Sequence, residues 1–321
     1  MSSATQDAVD ITNSLLLRAE SLPEDGRGLT PNCAERGSMI GTLWQGRRIN
    51  AMKKSLQVLA LMAVGLALLS TTGCGKLQAR DQLNKGVQSF KNAKYEEAIN
   101  HFQEAVKLDP SLLNARLYLA TAYAQQYIPG ADTPDNNKMA EQAIEEYKGV
   151  LERDPKNINS VKGIAYLYLQ MKQFEKAKEF YKKASELDPN DAEPYYSIAV
   201  IDWTQTYQPR MEERAKLGLK PEEALKDKKV CAALKEKNSA NIQEGIDNLN
   251  KALKLREDYD DAMAYMNLMY RERADVQCDD AAARAADLKE ADGWVDRTMA
   301  TKKAKAEKQP GATGIVMDQT K

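Results

Sequence analysis

The side chains most often used in catalysis are sparse in this sequence and do not group. His101 is the one histidine among 321 residues, which excludes most histidine-based catalysis and most histidine-rich metal sites. The carboxylate pairs Asp260-Asp261 and Asp279-Asp280 fall where helices are expected to begin, and there acidic side chains complement the helix dipole. No nucleophile elbow, phosphate loop or zinc-protease motif is found. We therefore predict a protein that is not an enzyme, with no catalytic residues, no metal site and no cofactor.

The four cysteines carry the remaining reactive chemistry. Cys33, Cys74, Cys231 and Cys278 are scattered, and none forms the CxxC pair of a zinc ribbon or a thioredoxin-like site. Cys231 and Cys278 could form a disulfide in an oxidising compartment, joining a long insert to the last repeated unit. Two unpaired thiols are the alternative.

Cys74 ends a segment with the features of an export signal. Residues 52–74 read MKKSLQVLALMAVGLALLSTTGC, in which lysines precede an apolar run and small or polar residues precede the cysteine. The apolar run is shorter than the roughly 20 residues of a membrane span. This order resembles a bacterial lipoprotein signal, with Thr71 where leucine is usual. A buried apolar helix with an incidental cysteine is the alternative.

The lipoprotein resemblance implies an exported protein of the bacterial cell envelope, held to a membrane by a lipid on Cys74. Gly75 replaces the aspartate that retains some lipoproteins in the inner membrane, which favours the outer membrane and its periplasmic side. Because residues 1–51 precede a complete signal, we interpret Met52 as the initiator and residues 1–51 as a start-site error. A genuine disordered extension, with the apolar run as an internal anchor, is the alternative.

The rest of the sequence follows a repeated pattern. The same spacing of small and large residues occurs as Ala98, Phe102 and Ala105 in residues 79–111 and as Ala177, Tyr181 and Ala184 in residues 158–190. Both segments end in Leu-Asp-Pro, in which proline stops a helix. Small residues let two helices approach, and Gly86 stands where such an approach is needed. The pattern resembles the tetratricopeptide repeat (TPR), a helix–turn–helix unit.

The TPR resemblance covers roughly residues 79–302 and implies about five helix pairs. It predicts an all-α fold in which the pairs stack as a right-handed superhelical solenoid. Long inserts interrupt the second and fourth repeats, near residues 124–140 and 204–240. Residues 303–321 lose the pattern, and we expect them to be a disordered tail.

By resemblance, the first helix of each pair lines a concave groove that binds a partner. The groove positions that we select as partner-binding are Asn84, Lys91, Tyr118, Asn159, Tyr166, Tyr196, Trp203 and Tyr265. Tyrosine and tryptophan offer large contact area with little entropy to lose, so a peptide or a helix is the expected ligand. Alternatively, some of these rings pack against the inserts.

One TPR subtype, the chaperone-binding carboxylate clamp, is not predicted. This clamp needs Lys and Asn in the first repeat, Asn in the second, and Lys and Arg in the third, and the matching positions in this chain hold Leu83, Val87, Tyr118, Asn159 and Gly163.

The sequence as a whole favours a non-catalytic protein–protein interaction scaffold or adaptor of the cell envelope. Its 46 basic and 47 acidic residues nearly cancel, which gives no case for nucleic-acid binding, and no small-molecule substrate is expected. A permanent structural subunit, associated with secretion or a pilus, is one alternative. A cytosolic TPR adaptor is another alternative if the signal is not used. An enzyme would need a group of titratable side chains in the inserts, and the sequence shows none there.

Overall fold

The computed structural model describes residues 75–220 and 223–308, and the regular elements in these two ranges are all helices. This confirms the predicted all-α class. The described chain forms two compact units that divide between Gln125 and Gln126. Residues 1–51, the predicted signal at 52–74 and its Cys74 lie outside the described ranges. Of the helices within them, none is long and apolar enough to cross a membrane.

The first unit contains three helices: α1 over residues 75–91, α2 at Tyr95–Leu108 and α3 at Leu113–Gln126, which ends one residue past the division. Gly86 allows α1 and α2 to approach closely, as predicted, because a Cβ atom at this position would overlap the ring of Phe102. Phe102 is fully buried, so that ring has no space to move aside.

The second unit contains seven described helices: α4 (Pro134–Leu151), α5 (Ile158–Gln170), α6 (Phe174–Leu187), α7 (Ala192–Lys216), α8 (Lys228–Leu255), α9 (Asp260–Asp275) and α10 (Ala281–Lys308). The helices α5 and α6, α7 and α8, and α9 and α10 pack as pairs. The second helix of one pair also packs on the first helix of the next: α4 on α5, α6 on α7, and α8 on α9. Each first helix is therefore held on two sides.

The predicted Leu-Asp-Pro terminators work through the aspartate as well as the proline. Asp109 and Asp188, and also Asp154 in the related Arg-Asp-Pro segment after α4, each accept a hydrogen bond at the side chain from the backbone N–H two residues later. This Asx turn reverses the chain after the helix and positions the next one. Ala93 and Lys172 occupy matching turns between paired helices, and both adopt a left-handed φ of 58°.

The two inserts are built differently. Asn136 organises the first, because its side chain accepts a hydrogen bond from the N–H of Ile128 and donates to the carbonyls of Ile128 and Ala131. The second is mostly helical: α7 and α8 are lengthened to 25 and 28 residues, and residues 217–227 connect them.

The repeated region extends further than the sequence predicts. Helix α10 continues to Lys308, so residues 303–308 are helical where we expected the start of a disordered tail. Lys305 holds this last turn, with its ammonium nitrogen 2.5 Å from a carboxylate oxygen of Asp260 at the start of α9. Residues 309–321 lie outside the described part of the chain.

Candidate partner-binding site

Five aromatic side chains form a continuous row along α7 and α9, the first helices of the last two pairs. In order they are Tyr259, Tyr196, Tyr265, Trp203 and Tyr207, and we call them the aromatic row. Successive ring centroids lie 4.7 to 5.5 Å apart. Tyr259 is buried and the other four are partly exposed, so the row presents aromatic surface to solvent.

The row exists because side chains from the two helices interleave. Tyr196 and Trp203 are two helical turns apart on one face of α7, which separates them by about 10 Å. Tyr265 of α9 fills the space between them, and its ring is nearly perpendicular to both, at 85° and 86°. Edge-to-face contacts of this kind contribute about 0.5–1.5 kcal/mol each beyond the buried area. The rings therefore fix one another's orientation.

A buried ion cluster holds α7 behind the row. Lys178 of α6 lies 2.6 Å from a carboxylate oxygen of Asp202 on α7 and 2.6 Å from one of Glu244 on α8. Asp202 has no exposed surface, and its burial raises its pKa to about 7. Burial opposes the charge of Lys178, but the hydrogen bonds that its ammonium donates to both carboxylates, together with their charges, outweigh burial and raise the pKa of Lys178. The cluster ties α6, α7 and α8 together beside Trp203.

The N-terminal end of α7 is fixed by a second ion cluster. Lys162 of α5 pairs with Asp191, at 2.9 Å, and with Glu193. Asp191 also caps α7, since its side chain accepts a hydrogen bond from the N–H of Glu193. The helix that carries Tyr196 therefore starts at a defined position relative to α5.

Two arginines attach the helical insert to α9. Arg210 and Arg214 lie 2.8 and 2.9 Å from a carboxylate oxygen of Asp275, and Arg210 is also 2.8 Å from one of Glu272. Arg214 is 1% exposed and donates to the carbonyl of Glu223. Burial raises the pKa of Glu272 to about 7. This contact fixes the part of α7 that carries Tyr207.

Cys231 and Cys278 are joined by a disulfide, with Cα atoms 5.5 Å apart. The bond links the start of α8 to the turn between α9 and α10, and Cys231 is 1% exposed. The covalent link thus connects the insert to the last helix pair, in the arrangement that we hypothesised.

The remaining predicted groove residues lie elsewhere. Asn84 and Lys91 are exposed on α1, and the ring of Tyr118 stacks on that of Phe102 at 5.6 Å, all in the first unit. Asn159 and Tyr166 lie half-buried on α5 in the second unit. Burial raises the pKa of Tyr166 to about 12, and nearby Tyr127 adds to the shift. Of the eight predicted positions, Tyr196, Trp203 and Tyr265 are the three that join the aromatic row.

Sequence reasoning missed both ends of the row. Tyr207 lies one helical turn after Trp203, so helical spacing could have found it, but it belongs to the segment that we treated as an insert. Tyr259 precedes the first residue of α9, and the guanidinium carbon of Arg256 lies 3.1 Å from its ring centroid. Through Tyr207, the insert contributes the ring at one end of the row, next to Trp203.

Tyr195 is adjacent to the aromatic row in sequence but does not belong to it, so it can serve as a control for Tyr196. It neighbours Tyr196 in α7 but points to the other side of the helix, where it lines a surface pocket of about 520 Å³ between α6, α7 and α8. The ammonium of Lys251 lies 5.6 Å from its ring centroid. Two adjacent tyrosines thus face different environments on one helix.

Known proteins resemble this chain in its repeats. A TPR-repeat family model matches residues 89–126, and a tetratricopeptide-repeat model matches residues 137–200. The Hsp70-Hsp90 organizing protein of Triticum aestivum is 33% identical over 115 residues, which are 36% of this chain and 18% of that protein. Hsp70-Hsp90 organizing protein 3 of Arabidopsis thaliana is 29% identical over 154 residues, 48% of this chain and 24% of that protein. The chain thus spans about a fifth of the length of these relatives.

Solved structures with a similar arrangement include MamA proteins. The structure of MamA residues 41 to the end from Desulfovibrio magneticus RS-1 has a TM-score of 0.48 and 15% identity, covering 71% of this chain and 96% of that one. Another MamA crystal structure has a TM-score of 0.49 and 13% identity, covering 74% of this chain and 98% of the other.

Proposed function

We propose that this chain, a tetratricopeptide-repeat protein, is a non-catalytic scaffold that binds a peptide or a helical segment of a partner protein along the aromatic row. The observation that carries the proposal is the row itself, in which partly exposed rings from α7 and α9 are held in fixed orientations. Tyrosine and tryptophan are enriched among the residues that dominate binding energy, because they combine a large apolar area with a polar tip.

The geometry favours a partner that inserts apolar or aromatic side chains at regular intervals. Tyr196 and Trp203 are separated by two helical turns, and such a spacing suits side chains at i and i+7 of a helix or well-separated side chains of an extended peptide. The ion clusters at Lys162 and Lys178 keep α7 in place before the partner arrives. A preorganised surface loses less entropy on binding, which supports a specific partner.

The relatives are named for Hsp70 and Hsp90, but the packing around one clamp position argues against chaperone-type carboxylate binding in this chain. Gly163 stands at one position of the carboxylate clamp, and a Cβ atom there would lie 2.5 Å from Cζ of Tyr147. A long basic side chain cannot occupy this site without displacing a buried ring. We therefore expect no preference for a peptide with a free C-terminal carboxylate over the same peptide with an amide.

We further propose that the scaffold acts in the bacterial cell envelope, anchored by a lipid on Cys74 and favouring the outer membrane. The order of lysines, apolar run, small residues and cysteine in residues 52–74 supports this location. The second candidate, a permanent structural subunit of a secretion or pilus assembly, differs in that its complex would survive high salt. A cytosolic adaptor requires an uncleaved signal.

The binding proposal is tested by comparing Tyr196→Ala with Tyr195→Ala. The two substitutions remove the same side chain from adjacent positions of α7, one in the aromatic row and one in the pocket on the other side. Partners are captured from the native membrane fraction and quantified by mass spectrometry. We expect at least a tenfold loss of the specific partner for Tyr196→Ala and less than a twofold loss for Tyr195→Ala.

The fold of both variants is compared by urea denaturation, so that a loss of binding can be separated from a loss of structure. Equal capture by both variants, with both folded, would reject the aromatic row as the binding surface. The location is tested separately by the intact mass and N-terminal peptide of the native protein. A chain starting at a lipid-modified Cys74 supports the envelope scaffold, and a chain starting at Met1 with unmodified Cys74 rejects it.

A further inference from the structure

The disulfide between Cys231 and Cys278 joins two sulfurs of unequal accessibility. Cys231 is 1% exposed and packs in the apolar core that α7, α8 and α9 share. Cys278 is partly exposed in the turn between α9 and α10, and Asp279 and Asp280 after it are exposed. Asp279 pairs with the exposed Lys228 of α8 at 3.1 Å, so the junction reaches the surface on the Cys278 side. A thiol from solvent can therefore approach the sulfur of Cys278 but not that of Cys231.

The buried sulfur is placed where it can leave as a thiolate. Cys231 stands at the end of the first turn of α8, since its N–H donates to the carbonyl of the capping residue Asp227 at 2.9 Å. The positive end of the helix dipole stabilises a thiolate at such a position. In thiol–disulfide exchange, the more stable thiolate is the better leaving group. Attack on Cys278 with departure of Cys231 is therefore favoured by both access and charge.

The surroundings also suit the reduced pair. Sγ of Cys231 lies 3.5 Å from the carbonyl oxygen of Asp275, and Sγ of Cys278 lies 3.6 Å from that of Val276. Each thiol of a reduced pair thus has a carbonyl that can accept its weak S–H hydrogen bond. The buried Arg214 lies 2.9 Å from a carboxylate oxygen of Asp275 and holds the insert independently of the sulfurs. Opening the bond therefore leaves both thiols with acceptors and the insert still attached.

We propose that Cys231 and Cys278 form a reversible thiol–disulfide exchange site, whose reaction partner is a thiol and whose redox state controls how tightly the insert is held. Cys278 is the sulfur that exchanges with the external thiol, and Cys231 is the sulfur that leaves and returns. This role does not depend on partner binding at the aromatic row.

The exchange proceeds in two steps. An external thiolate attacks Sγ of Cys278, a bond forms between these two sulfurs, and the bond to Cys231 breaks with Cys231 leaving as a thiolate. A second external thiolate then attacks the first external sulfur and releases Cys278 as a thiolate, and both cysteines take up protons from water. Two external thiols are oxidised to a disulfide, and the cysteine pair gains two electrons. Oxidation reverses these steps, with Cys231 resolving a mixed disulfide on Cys278.

The first experiment compares Cys231→Ser with Cys278→Ser in the full 321-residue chain in mild detergent, because each variant keeps one of the two sulfurs. The probe is hydroxyethyl disulfide, which is small and uncharged, so the aspartates beside Cys278 do not repel it. Peptide mass spectrometry measures the rate of mixed-disulfide formation and separates these sites from Cys33 and Cys74. We expect Cys278 to react at least tenfold faster than Cys231, because burial limits access to Cys231. In urea that unfolds both variants, the two rates should become similar.

The second experiment uses the wild-type chain and decides the matter even if one variant fails to fold. The disulfide is reduced with 2-mercaptoethanol under native conditions, and amide hydrogen exchange is measured by mass spectrometry before and after. We expect at least tenfold faster exchange in residues 228–234, at the start of α8, and no change in α5 and α6. The helical signal in circular dichroism should be retained.

Three results would overturn the proposal. Equal reaction of the two sulfurs in folded variants would mean that Cys278 is not the entry point for the thiol. A wild-type bond that 2-mercaptoethanol opens only in urea would be a fixed structural link. Amide exchange that stays unchanged in residues 228–234, or that becomes faster throughout the second unit, would mean that the bond does not control the insert.

Discussion

The substitution Gly163→Ala isolates the steric contact that sets the distance between α4 and α5. A Cβ atom at Gly163 would lie 2.5 Å from Cζ, 2.6 Å from Cε2 and 2.9 Å from the hydroxyl oxygen of Tyr147. Carbon atoms in contact prefer about 3.5–4.0 Å, so the ring would have to move by about 1 Å. Tyr147 is 2% exposed, and therefore its ring cannot swing into solvent.

The magnitude follows from two opposing effects. Alanine is favoured over glycine in a helix interior by about 1 kcal/mol. Overpacking a well-packed core costs about 1–3 kcal/mol. Gly293 of α10 offers a matched control, because a Cβ atom there meets nothing within 4 Å. Gly293→Ala should stabilise the chain by about 1 kcal/mol, and Gly163→Ala should be about 1–3 kcal/mol less stable than that variant.

The free energy of unfolding is measured by urea denaturation for both variants and for Gly163→Ala in a Tyr147→Leu background. Removing the ring should convert Gly163→Ala from unfavourable to neutral or stabilising, which a double-mutant cycle reports as a coupling energy. If Gly163→Ala stabilises as much as Gly293→Ala, the ring of Tyr147 does not limit the approach of the two helices, and the steric reasoning is refuted.

Three further outcomes can be measured with the same assay. Cys278→Ser should lower the free energy of unfolding by about 4 kcal/mol in the chain-entropy treatment, because the bond to Cys231 closes a segment with a sequence separation of 47, and reduction of the wild type should have a similar effect. The buried Asp202 has a pKa of about 7, above its ordinary value of 3.8, so the native state binds more protons than the unfolded state between about pH 4 and 7, and the stability contributed by this group falls as pH rises through that range. Asp202→Asn should remove that fall. An unchanged pH dependence of the unfolding free energy in this variant would contradict the prediction. Lys172→Gly should raise the free energy of unfolding by about 0.5–1 kcal/mol, since glycine adopts the left-handed φ of 58° without steric cost, whereas the neighbouring exposed substitution Lys176→Gly, inside α6, should be destabilising.

The fold was predictable where the physical cause is local. The Leu-Asp-Pro terminators appear as helix ends, and Asp109 and Asp188 form turns with backbone groups two residues away. Gly86 also lies against the ring of Phe102, at the close approach of α1 and α2 that the pattern predicted. These features depend on a few consecutive residues or on a fixed helical spacing, so the sequence alone contains the information.

The helical inserts and the extension of α10 were less predictable, since their structure depends on distant partners. The charged residues of the second insert look like a solvated surface, but Arg214 is buried against Asp275, which is 61 positions away in the chain. The last turns of α10 lack an apolar pattern and are held by Lys305 on Asp260 instead. The residue pattern of one segment gives no information about a charged partner that belongs to a distant segment.

By itself, the sequence determined the helix ends at the Leu-Asp-Pro segments, the pairing of neighbouring helices and three of the rings in the aromatic row, because propensity, capping and spacing act over short distances. Only the tertiary structure decided which rings form one surface. Tyr196 and Trp203 share a face of α7 by spacing, but Tyr265 fills the space between them only because the buried contacts of α7 with α9 set the relative position of those helices. The relative position of two helices depends on packing between side chains that are far apart in sequence, and these contacts form only in the folded chain.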